Sequence, residues 1–333
     1  MKILFIGGTG IISSGCTQTA LERGWDVFLL SRGMAGAPYP GATHLKGDIN
    51  NREHCRALLR EHSFDAVVDF LAYTPADIDR DADLFTACAM HYVFISSASI
   101  YKAPFATYPI TEEAELGNPV WQYSRDKIAC EERLQQVVSE SKFPGTIVRP
   151  SHTYSEFYVP LPGGYTVLDR MLKGLPVIVH GDGTSVWSLT HSRDFAVGLL
   201  GLLGKPETIG QAYHITTDEQ LTWNEIYRLF ADRLEVKAEF IHLPSTVISR
   251  YHREWGESLL GDKAYSVQFD NAKIKKMVPE FGAKVPFKQG AREIVAWFQA
   301  HPQRQIVDPM WNDVMNRMVS DWKVFSDPLS NMT

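Results

Sequence analysis

The sequence predicts an α/β fold in which a doubly wound parallel sheet is followed by a smaller C-terminal lobe. Over the first 150 residues, short runs of β-branched and other apolar residues alternate with segments of helical periodicity. A glycine-rich turn at residues 7–10 comes directly after the first apolar run. Strands that alternate with helices in this way are typical of a parallel sheet with helices on both faces.

The predicted elements of this sheet follow in chain order. Apolar runs predict strands at residues 3–6, 26–30, 43–45, 66–70, 92–95 and 146–148. The segments between them predict helices at residues 15–23, 52–62, 76–89 and 123–141. Because such sheets bind their ligands at the carboxyl ends of the strands, we expect the functional residues there.

After residue 150 the alternation is looser. It predicts helices at residues 167–172 and 194–203, strands at 177–180 and 212–215, and mainly helices from residue 222 onward. We assign residues 1–155, together with 185–216, to the sheet domain, and residues 156–184 and 217–333 to the second lobe. An amphipathic stripe near the end predicts a helix that packs on the body of the protein or on the partner in a homodimer: Trp311, Val314, Met315, Met318, Val319 and Trp322.

The composition argues against several classes of function. The 33 basic and 39 acidic residues give a net charge of −6, which is not the basic balance that nucleic-acid binding requires. No apolar run approaches the roughly 20 residues needed to cross a bilayer, so we expect no membrane partner. The four cysteines form no CxxC pair and no histidine pair has HExxH spacing. We therefore expect a cytoplasmic protein without a metal site.

Tyr123 and Lys127 lie four residues apart on a predicted helix, so their side chains share one face. A lysine ammonium beside a phenol favours the phenolate and lowers the tyrosine pKa from its ordinary value of about 10. Tyr123 is therefore a candidate general acid/base for a proton on a carbinol oxygen of a small-molecule substrate. Ser97, just after the preceding apolar strand, is a candidate to hydrogen-bond that oxygen.

The turn after the first strand has the spacing Gly7-x-x-Gly10-x-x-Ser13. Glycines allow a tight turn and the close approach of a pyrophosphate, which then rests on the N-terminus of the following helix. Ser13 stands where a third glycine is usual, and it is small enough to keep the helix close to the strand. The turn therefore predicts a dinucleotide-binding sheet of the Rossmann type, with NAD or NADP as its cofactor.

The end of the second predicted strand contains an arginine, Arg32, and no acid that could hold the ribose hydroxyls of NAD. Arg32 can pair with the 2′-phosphate of NADP, and the alternative is a solvated arginine that stacks on the adenine. On this point the sequence favours NADP. Asp48, after the third strand, stands where a carboxylate can accept a hydrogen bond from the adenine amine.

Together these motifs resemble those of the extended short-chain dehydrogenase/reductase family, which includes sugar-nucleotide epimerases, dehydratases and reductases. The resemblance covers nearly the whole chain and implies a catalytic triad of Ser97, Tyr123 and Lys127. The cofactor-binding residues that it implies are Gly7, Gly10, Ile11 and Ile12 for the pyrophosphate, Asp48 and Ile49 for the adenine, Leu71, Ala72, Tyr73 and Lys127 for the nicotinamide ribose, and Pro150 and His152 beside the nicotinamide.

Three features depart from the family's pattern. Trp187 stands where many members use an arginine to bind the diphosphate of a nucleotide sugar, and it can stack on a sugar or base or be a core residue. Ala98 and Ser99 follow Ser97, where 4,6-dehydratases carry Asp-Glu, so no second acid is available for water elimination. The asparagine that completes a proton relay in many members is not identified.

The sequence thus predicts an NAD(P)-dependent oxidoreductase or epimerase that acts on a carbinol or carbonyl group of a sugar or sugar-like substrate. Hydride would move between substrate and nicotinamide while Tyr123 moves the oxygen-bound proton. The alternative is a non-catalytic NAD(P)-sensing or RNA-associated binding protein, because Gly8 and Ser13 resemble an atypical branch with chloroplast RNA-binding members. The acidic net charge and the complete Ser-Tyr-Lys set favour the enzyme.

Overall fold

The computed structural model describes residues 1–33 and 39–326. Its strands are β1 (Lys2–Ile6), β2 (Asp26–Ser31), β3 (Thr43–Lys46), β4 (Ala66–Asp69), β5 (Tyr92–Ile95), β6 (Gly145–Pro150), β7 (His152–Tyr154), β8 (Val177–His180), β9 (Val186–Trp187), β10 (Leu189–His191), β11 (Ala212–Ile215), β12 (Leu221–Thr222) and β13 (Phe240–Leu243). Its α-helices are α1 (Ile11–Glu22), α2 (Arg52–Leu59), α3 (Pro75–Phe85), α4 (Gln122–Ser141), α5 (Tyr165–Leu172), α6 (Ser192–Leu202), α7 (Trp223–Leu234), α8 (Ser245–Tyr251), α9 (Arg253–Ser258), α10 (Ala272–Met277), α11 (Phe287–Ala300) and α12 (Pro309–Ser326).

These elements form two compact units. The first comprises the described parts of 1–153 together with 189–218 and 269–284, and the second comprises 154–188, 219–268 and the described residues from 285 onward. The assignment of the second unit to substrate binding stays a prediction.

The first unit is built on a seven-stranded sheet with the strand order β11-β6-β5-β4-β1-β2-β3, and every pairing in it is parallel. From β1 the chain winds outward through β2 and β3 on one side and through β4, β5, β6 and β11 on the other. The predicted α/β class with a doubly wound parallel sheet is therefore confirmed. The carboxyl ends of β1 and β4 meet where the winding reverses, which is where ligands bind in sheets of this kind.

The sheet is buried on both faces, because successive strand residues point to opposite sides. Ile3 and Phe5 of β1 belong to a core cluster shared with α1 and α6. Leu4 and Ile6 belong to a second cluster shared with α2, α3 and α4. Each such buried side chain contributes about 1.5–3 kcal/mol of hydrophobic stabilisation, so the two cores hold the strand ends in fixed positions.

Several element boundaries, and the place of one segment, differ from the sequence prediction. Helix α1 begins at Ile11 rather than at residue 15, because the last glycine of the turn is itself the N-cap. Helix α3 ends at residue 85 rather than 89, since Ala89 already forms a parallel bridge with Phe64. Residues 269–284 join the first unit rather than the second lobe, because Ile274 and Val278 are buried in the cluster with α1 and α6.

The second unit contains the parallel pair β8–β13 and the antiparallel pair β9–β12. The predicted C-terminal amphipathic helix is present as α12, and its buried residues are Val314, Met315, Met318 and Val319. Arg170 of α5 donates from Nη1 to the side-chain oxygens of Asn312 and Asn316, both at 2.7 Å. These contacts show that α12 packs within its own unit.

Candidate active site

The glycine turn between β1 and α1 leaves no room for larger residues at two positions. Gly7 has a φ of +80°, and a Cβ atom there would lie 2.7 Å from Leu71 Cγ. A Cβ atom on Gly8 would lie 2.6 Å from Leu29 Cδ2. Both distances are too short for real carbon contacts, so the turn requires glycine for its backbone shape and for its packing.

The hydroxyl of Ser13 stabilises this turn through two hydrogen bonds to its backbone. Ser13 Oγ donates to the carbonyl of Gly7 at 2.6 Å and accepts the N–H of Gly10 at 2.8 Å. Thr17, one helical turn further on, donates from Oγ1 to the carbonyl of Gly8 at 2.7 Å. The serine that replaces the usual third glycine therefore closes the loop by hydrogen bonds that a glycine could not form.

The first turn of α1 fits a pyrophosphate. Its N-cap is Gly10, which has no side chain to cap the first-turn N–H groups of Ile11 and Ile12. A helix N-terminus with free amides and the positive end of the helix dipole is an anion-binding site. The side chain of Ile12 packs against the core cluster that contains α1 and α6 residues.

The segments expected to hold the adenosine half lie at the ends of β2 and β3. Arg32 is exposed directly after β2, and the loop that follows it at 34–38 is outside the described residues. The exposed carboxylate of Asp48 accepts the N–H of Asn50 at 3.0 Å. Ile49 is only 6% exposed and belongs to the core cluster, so its side chain supports this segment from below.

The loop after β4 carries Leu71, Ala72 and Tyr73. The side chains of Leu71 and Tyr73 are exposed, whereas Ala72 is buried. The carbonyl of Ala72 points inward and accepts a hydrogen bond from Lys127 Nζ at 2.7 Å. The three residues predicted for the nicotinamide ribose thus lie next to the predicted catalytic lysine.

Lys127 is 2% exposed, and its Nζ also donates to the carbonyl of Ile95 at 2.7 Å. The ammonium lies 4.6 Å from the ring centre of Tyr73 and 5.8 Å from that of Tyr123. Burial lowers the pKa of Lys127 from 10.5 to about 8. At neutral pH the side chain is therefore still mainly an ammonium, and it is held at the carboxyl end of β5 by two carbonyls.

Tyr123 lies in the first turn of α4, and its side chain is half-buried. Its ring centre is 6.5 Å from that of Tyr73 and 4.9 Å from that of Trp121. The four-residue spacing on one helix brings Tyr123 and Lys127 to the same face, as the sequence predicts. The structure therefore gathers Tyr73, Tyr123 and Lys127 around one point beside the end of β5.

Ser97 begins a chain of serine hydroxyls that the sequence analysis does not identify. Ser97 Oγ lies 2.9 Å from Ser99 Oγ, which lies 2.8 Å from Ser124 Oγ. Asn118 donates from Nδ2 to the carbonyl of Ser99 at 3.1 Å, and its Oδ1 accepts the N–H of Trp121 at 2.9 Å. The turn that carries Ser97 is thus hydrogen-bonded to the residue next to Tyr123 and to the loop before α4.

The segment expected beside the nicotinamide begins at the end of β6. Pro150 is buried in the sheet, and His152 is half-buried at the start of β7. The preceding Arg149 forms a two-pronged ion pair with Glu131 of α4, at 3.0 and 2.6 Å. Its Nη1 donates to the Tyr101 hydroxyl at 2.7 Å. This buried pair ties β6 to the helix that carries Tyr123 and Lys127.

Trp187 is a packing residue of the second unit. It is 4% exposed and stacks on Trp223 with ring centres 5.4 Å apart, while Lys263 Nζ lies 5.6 Å from its ring. Of the alternatives that the sequence leaves open, this environment favours the core residue. His191 in the first unit accepts the N–H of Arg193 and caps α6.

Two further features of the described residues bear on function. Among residues 1–33 and 39–326, no group of three or more His, Cys, Asp or Glu side chains could hold a metal ion. No helix in the described part of the chain is both long enough and apolar enough to span a bilayer.

Comparison with known proteins decides the family. The model of the NAD dependent epimerase/dehydratase family matches residues 3–216. The chain belongs to this family. The matched region contains the glycine turn and the Ser97, Tyr123 and Lys127 positions, so the family assignment and the local geometry concern the same part of the molecule.

The chain also resembles individual known proteins at low identity. The 2'-dehydrokanamycin reductase of Streptomyces kanamyceticus is 24% identical over 293 residues, which cover 84% of this chain and 80% of the relative. The chloroplast stem-loop binding protein of 41 kDa b of Arabidopsis thaliana is 23% identical over 245 residues, which cover 69% of this chain and 62% of the relative. The solved dTDP-glucose 4,6-dehydratase of Bacillus anthracis, in complex with NAD, matches with a TM-score of 0.73 at 19% identity, covering 91% of this chain and 98% of that chain. This last likeness shows a shared fold.

Proposed function

We propose that this protein is an NAD(P)-dependent oxidoreductase or epimerase that acts on a carbinol or carbonyl group of a sugar or sugar-like substrate. The observation that carries the proposal is the position of Lys127. Its ammonium is buried, is held by two carbonyls, and lies within 5.8 Å of the Tyr123 ring centre. A buried charge is costly, so a buried ammonium held beside a phenol supports a role in the chemistry of the site.

The residues have separable roles in this reaction. NAD or NADP, when bound, accepts or returns a hydride at its nicotinamide ring. Tyr123 donates or accepts the proton on the substrate oxygen, and the positive charge of Lys127 favours its ionised form. Lys127 also supplies a donor to the nicotinamide ribose. Ser97 hydrogen-bonds the substrate oxygen, with the hydroxyls of Ser99 and Ser124 behind it.

The cofactor is held by the glycine turn in this proposal. The amides of Ile11 and Ile12 and the shape of the turn support pyrophosphate binding, while Asp48 supports adenine binding. The exposed Arg32 after β2 favours NADP, because a guanidinium can pair with the 2′-phosphate in two places.

The second candidate is a non-catalytic NAD(P)-sensing or RNA-associated binding protein. The likeness to a chloroplast stem-loop binding protein favours it. The net charge of −6 opposes RNA binding, since phosphate contacts need a basic surface. A sensor, moreover, does not need Ser97, Tyr123 and Lys127 together. We therefore propose a small-molecule substrate and no nucleic-acid partner.

Titration calorimetry with NAD and NADP tests the cofactor site first. Wild type should bind at least one of them, and Gly10→Val should abolish binding, because the added side chain starts 3.4 Å from Ser13 Oγ and fills the approach of the pyrophosphate. The matched control is Gly282→Val on the exposed end of the first unit, where the nearest heavy atom is 3.7 Å away. Absence of binding to wild type, or equal binding to Gly10→Val, would contradict the proposal. RNA retention on a filter at two salt concentrations tests the second candidate.

A further inference from the structure

Arg80 of α3 lies behind the loop that follows β4 and is 3% exposed. Its guanidinium donates to Asp69 Oδ2 at 2.9 Å, to Asp77 Oδ1 at 2.8 Å and to Asp81 Oδ1 at 2.9 Å. Another donor contact reaches Asn50 Oδ1 at 3.0 Å. Because arginine has five donors in a rigid fork, one side chain can hold all four oxygens. Arg80 therefore joins the segment after β3 to the end of β4 and the first turn of α3.

The carboxylates that Arg80 holds in turn fix a stretch of backbone. Asp69 Oδ1 accepts the N–H of Leu71. Asp77 Oδ2 accepts the N–H groups of Tyr73 and Thr74, at 3.0 and 2.9 Å. Backbone donors on both sides of residue 72 are thus tied to two acids, and both acids are tied to one guanidinium.

We propose that Arg80 is a positioning residue of the cofactor site, which acts through Asp69 and Asp77 to fix the Ala72 carbonyl that holds Lys127. The inference rests on the proposed function in one respect, namely that the loop from 71 to 73 flanks the nicotinamide ribose. All of these contacts lie within the first unit. None of these acids touches the reacting atoms in this account, so Arg80 prepares the site and takes no part in proton transfer.

The same network sets the electrostatic surroundings of Lys127. Titratable groups face it from α4, from β4, from α3 and from the loop after β4: Cys130, Glu131, Asp69, Asp77, Tyr73 and Tyr123. Glu131 is already paired with Arg149, and burial raises the pKa of Cys130 to about 12, which keeps the thiol neutral. The charges that favour the Lys127 ammonium and that Arg80 balances are therefore those of Asp69 and Asp77.

Two substitutions should shift the pKa of Lys127 in opposite directions. Arg80→Gln removes the positive charge that balances Asp69 and Asp77, so the pKa of Lys127 should rise above its value of about 8. Asp77→Asn removes a nearby negative charge but keeps an oxygen acceptor, so the pKa should fall. Arg80→Lys keeps the charge without the fork, so it should leave the pKa close to that of wild type. The control is Asp79→Asn, since Asp79 lies on the same helix but pairs outward with Arg133.

The experiment measures the Lys127 pKa by NMR of isotope-labelled lysine in the cofactor-free protein, together with NAD affinity by calorimetry. Arg80→Gln and Arg80→Lys should each weaken NAD binding about tenfold, the scale of one lost charge-assisted hydrogen bond. The lysine titration is independent of cofactor, so failure of wild type to bind NAD or NADP would overturn the proposed function without deciding the role of Arg80. If Arg80→Gln does not fold, Asp77→Asn and Arg80→Lys still give the pKa and the affinity. Unchanged pKa and affinity in the folded Arg80 and Asp77 variants would overturn the inference.

Discussion

Replacement of Lys127 by methionine should change how stability depends on pH, in a direction that the structure specifies. Burial lowers the pKa of this lysine from 10.5 to about 8 in the folded protein, whereas the unfolded chain keeps the ordinary value. Between these two values the unfolded chain binds more protons than the folded protein. The free energy of unfolding of wild type should therefore rise with pH over this window.

The magnitude follows from the size of the pKa difference. At about 1.36 kcal/mol per pH unit, lowering the pKa from 10.5 to about 8 corresponds to about 3 kcal/mol. Methionine at position 127 has no proton to lose. The free energy of unfolding of wild type minus that of Lys127→Met should therefore rise by that amount from pH 7.5 to pH 10.5, taken as roughly the limits of the window. The comparison removes the contributions of the other lysines, tyrosines and cysteines, because both proteins share them.

The assay is urea unfolding at a series of pH values, with Lys276→Met as the control. Lys276 is exposed on α10 of the same unit, so its removal should give a difference that stays flat with pH. A difference between wild type and Lys127→Met that is equally flat would refute the buried-ammonium reasoning. A difference that falls with pH would refute its sign.

Two further predictions concern the cofactor site. Ser13→Gly restores the residue usual at this position but loses the hydroxyl that bonds Gly7 and Gly10, so it should lower the free energy of unfolding by about 2 kcal/mol and weaken NAD binding. The control is Ser14→Gly, which loses one hydrogen bond within the helix. It should lower the free energy of unfolding by about 1 kcal/mol in the same urea assay. Equal effects of the two serine variants would contradict the role of the Ser13 hydroxyl in stabilising the glycine turn. Arg32→Ala should weaken the binding of NADP by about 1.5–3 kcal/mol and leave the binding of NAD nearly unchanged, as measured by calorimetry. The control is Arg23→Ala, since Arg23 is also exposed. Equal losses of affinity for both cofactors would show that Arg32 does not bind the 2′-phosphate.

The sequence predicts the fold well because its signals are local. Continuous apolar runs such as residues 3–6 and 92–95 specify strands buried on both faces, and the glycine turn specifies the first crossover. The return of residues 269–284 to the first unit is not predicted, since it depends on the packing of Ile274 and Val278 against core residues that lie far earlier in the chain, between positions 3 and 215. Periodicity alone does not say which core an amphipathic segment will join.

The candidate site likewise combines features that local sequence patterns predict with features that they do not. The spacing of Tyr123 and Lys127 is fixed by one helix, so the sequence predicts that they share a face. Contacts between elements form the hydrogen-bonded serines from Ser97 to Ser124 and the group of oxygens that Arg80 binds. No local sequence pattern encodes such contacts. The Asn-Pro pair at residues 118–119 before α4 is a cap-like signal that could direct attention to the loop beside Ser99.

The central claim is that Tyr123 moves the proton while a nicotinamide cofactor moves the hydride. The direct measurement compares wild type with Tyr123→Phe for turnover on a panel of sugars, nucleotide sugars and small carbonyl compounds. A net oxidation or reduction is followed through the absorbance of the reduced nicotinamide, and an epimerisation, which leaves the nicotinamide unchanged overall, through chromatography of the products. The substitution keeps the ring and removes only the hydroxyl, so cofactor affinity should stay the same while turnover falls by about 10²–10⁴-fold on any substrate that wild type accepts. Full turnover by Tyr123→Phe on such a substrate would contradict the account.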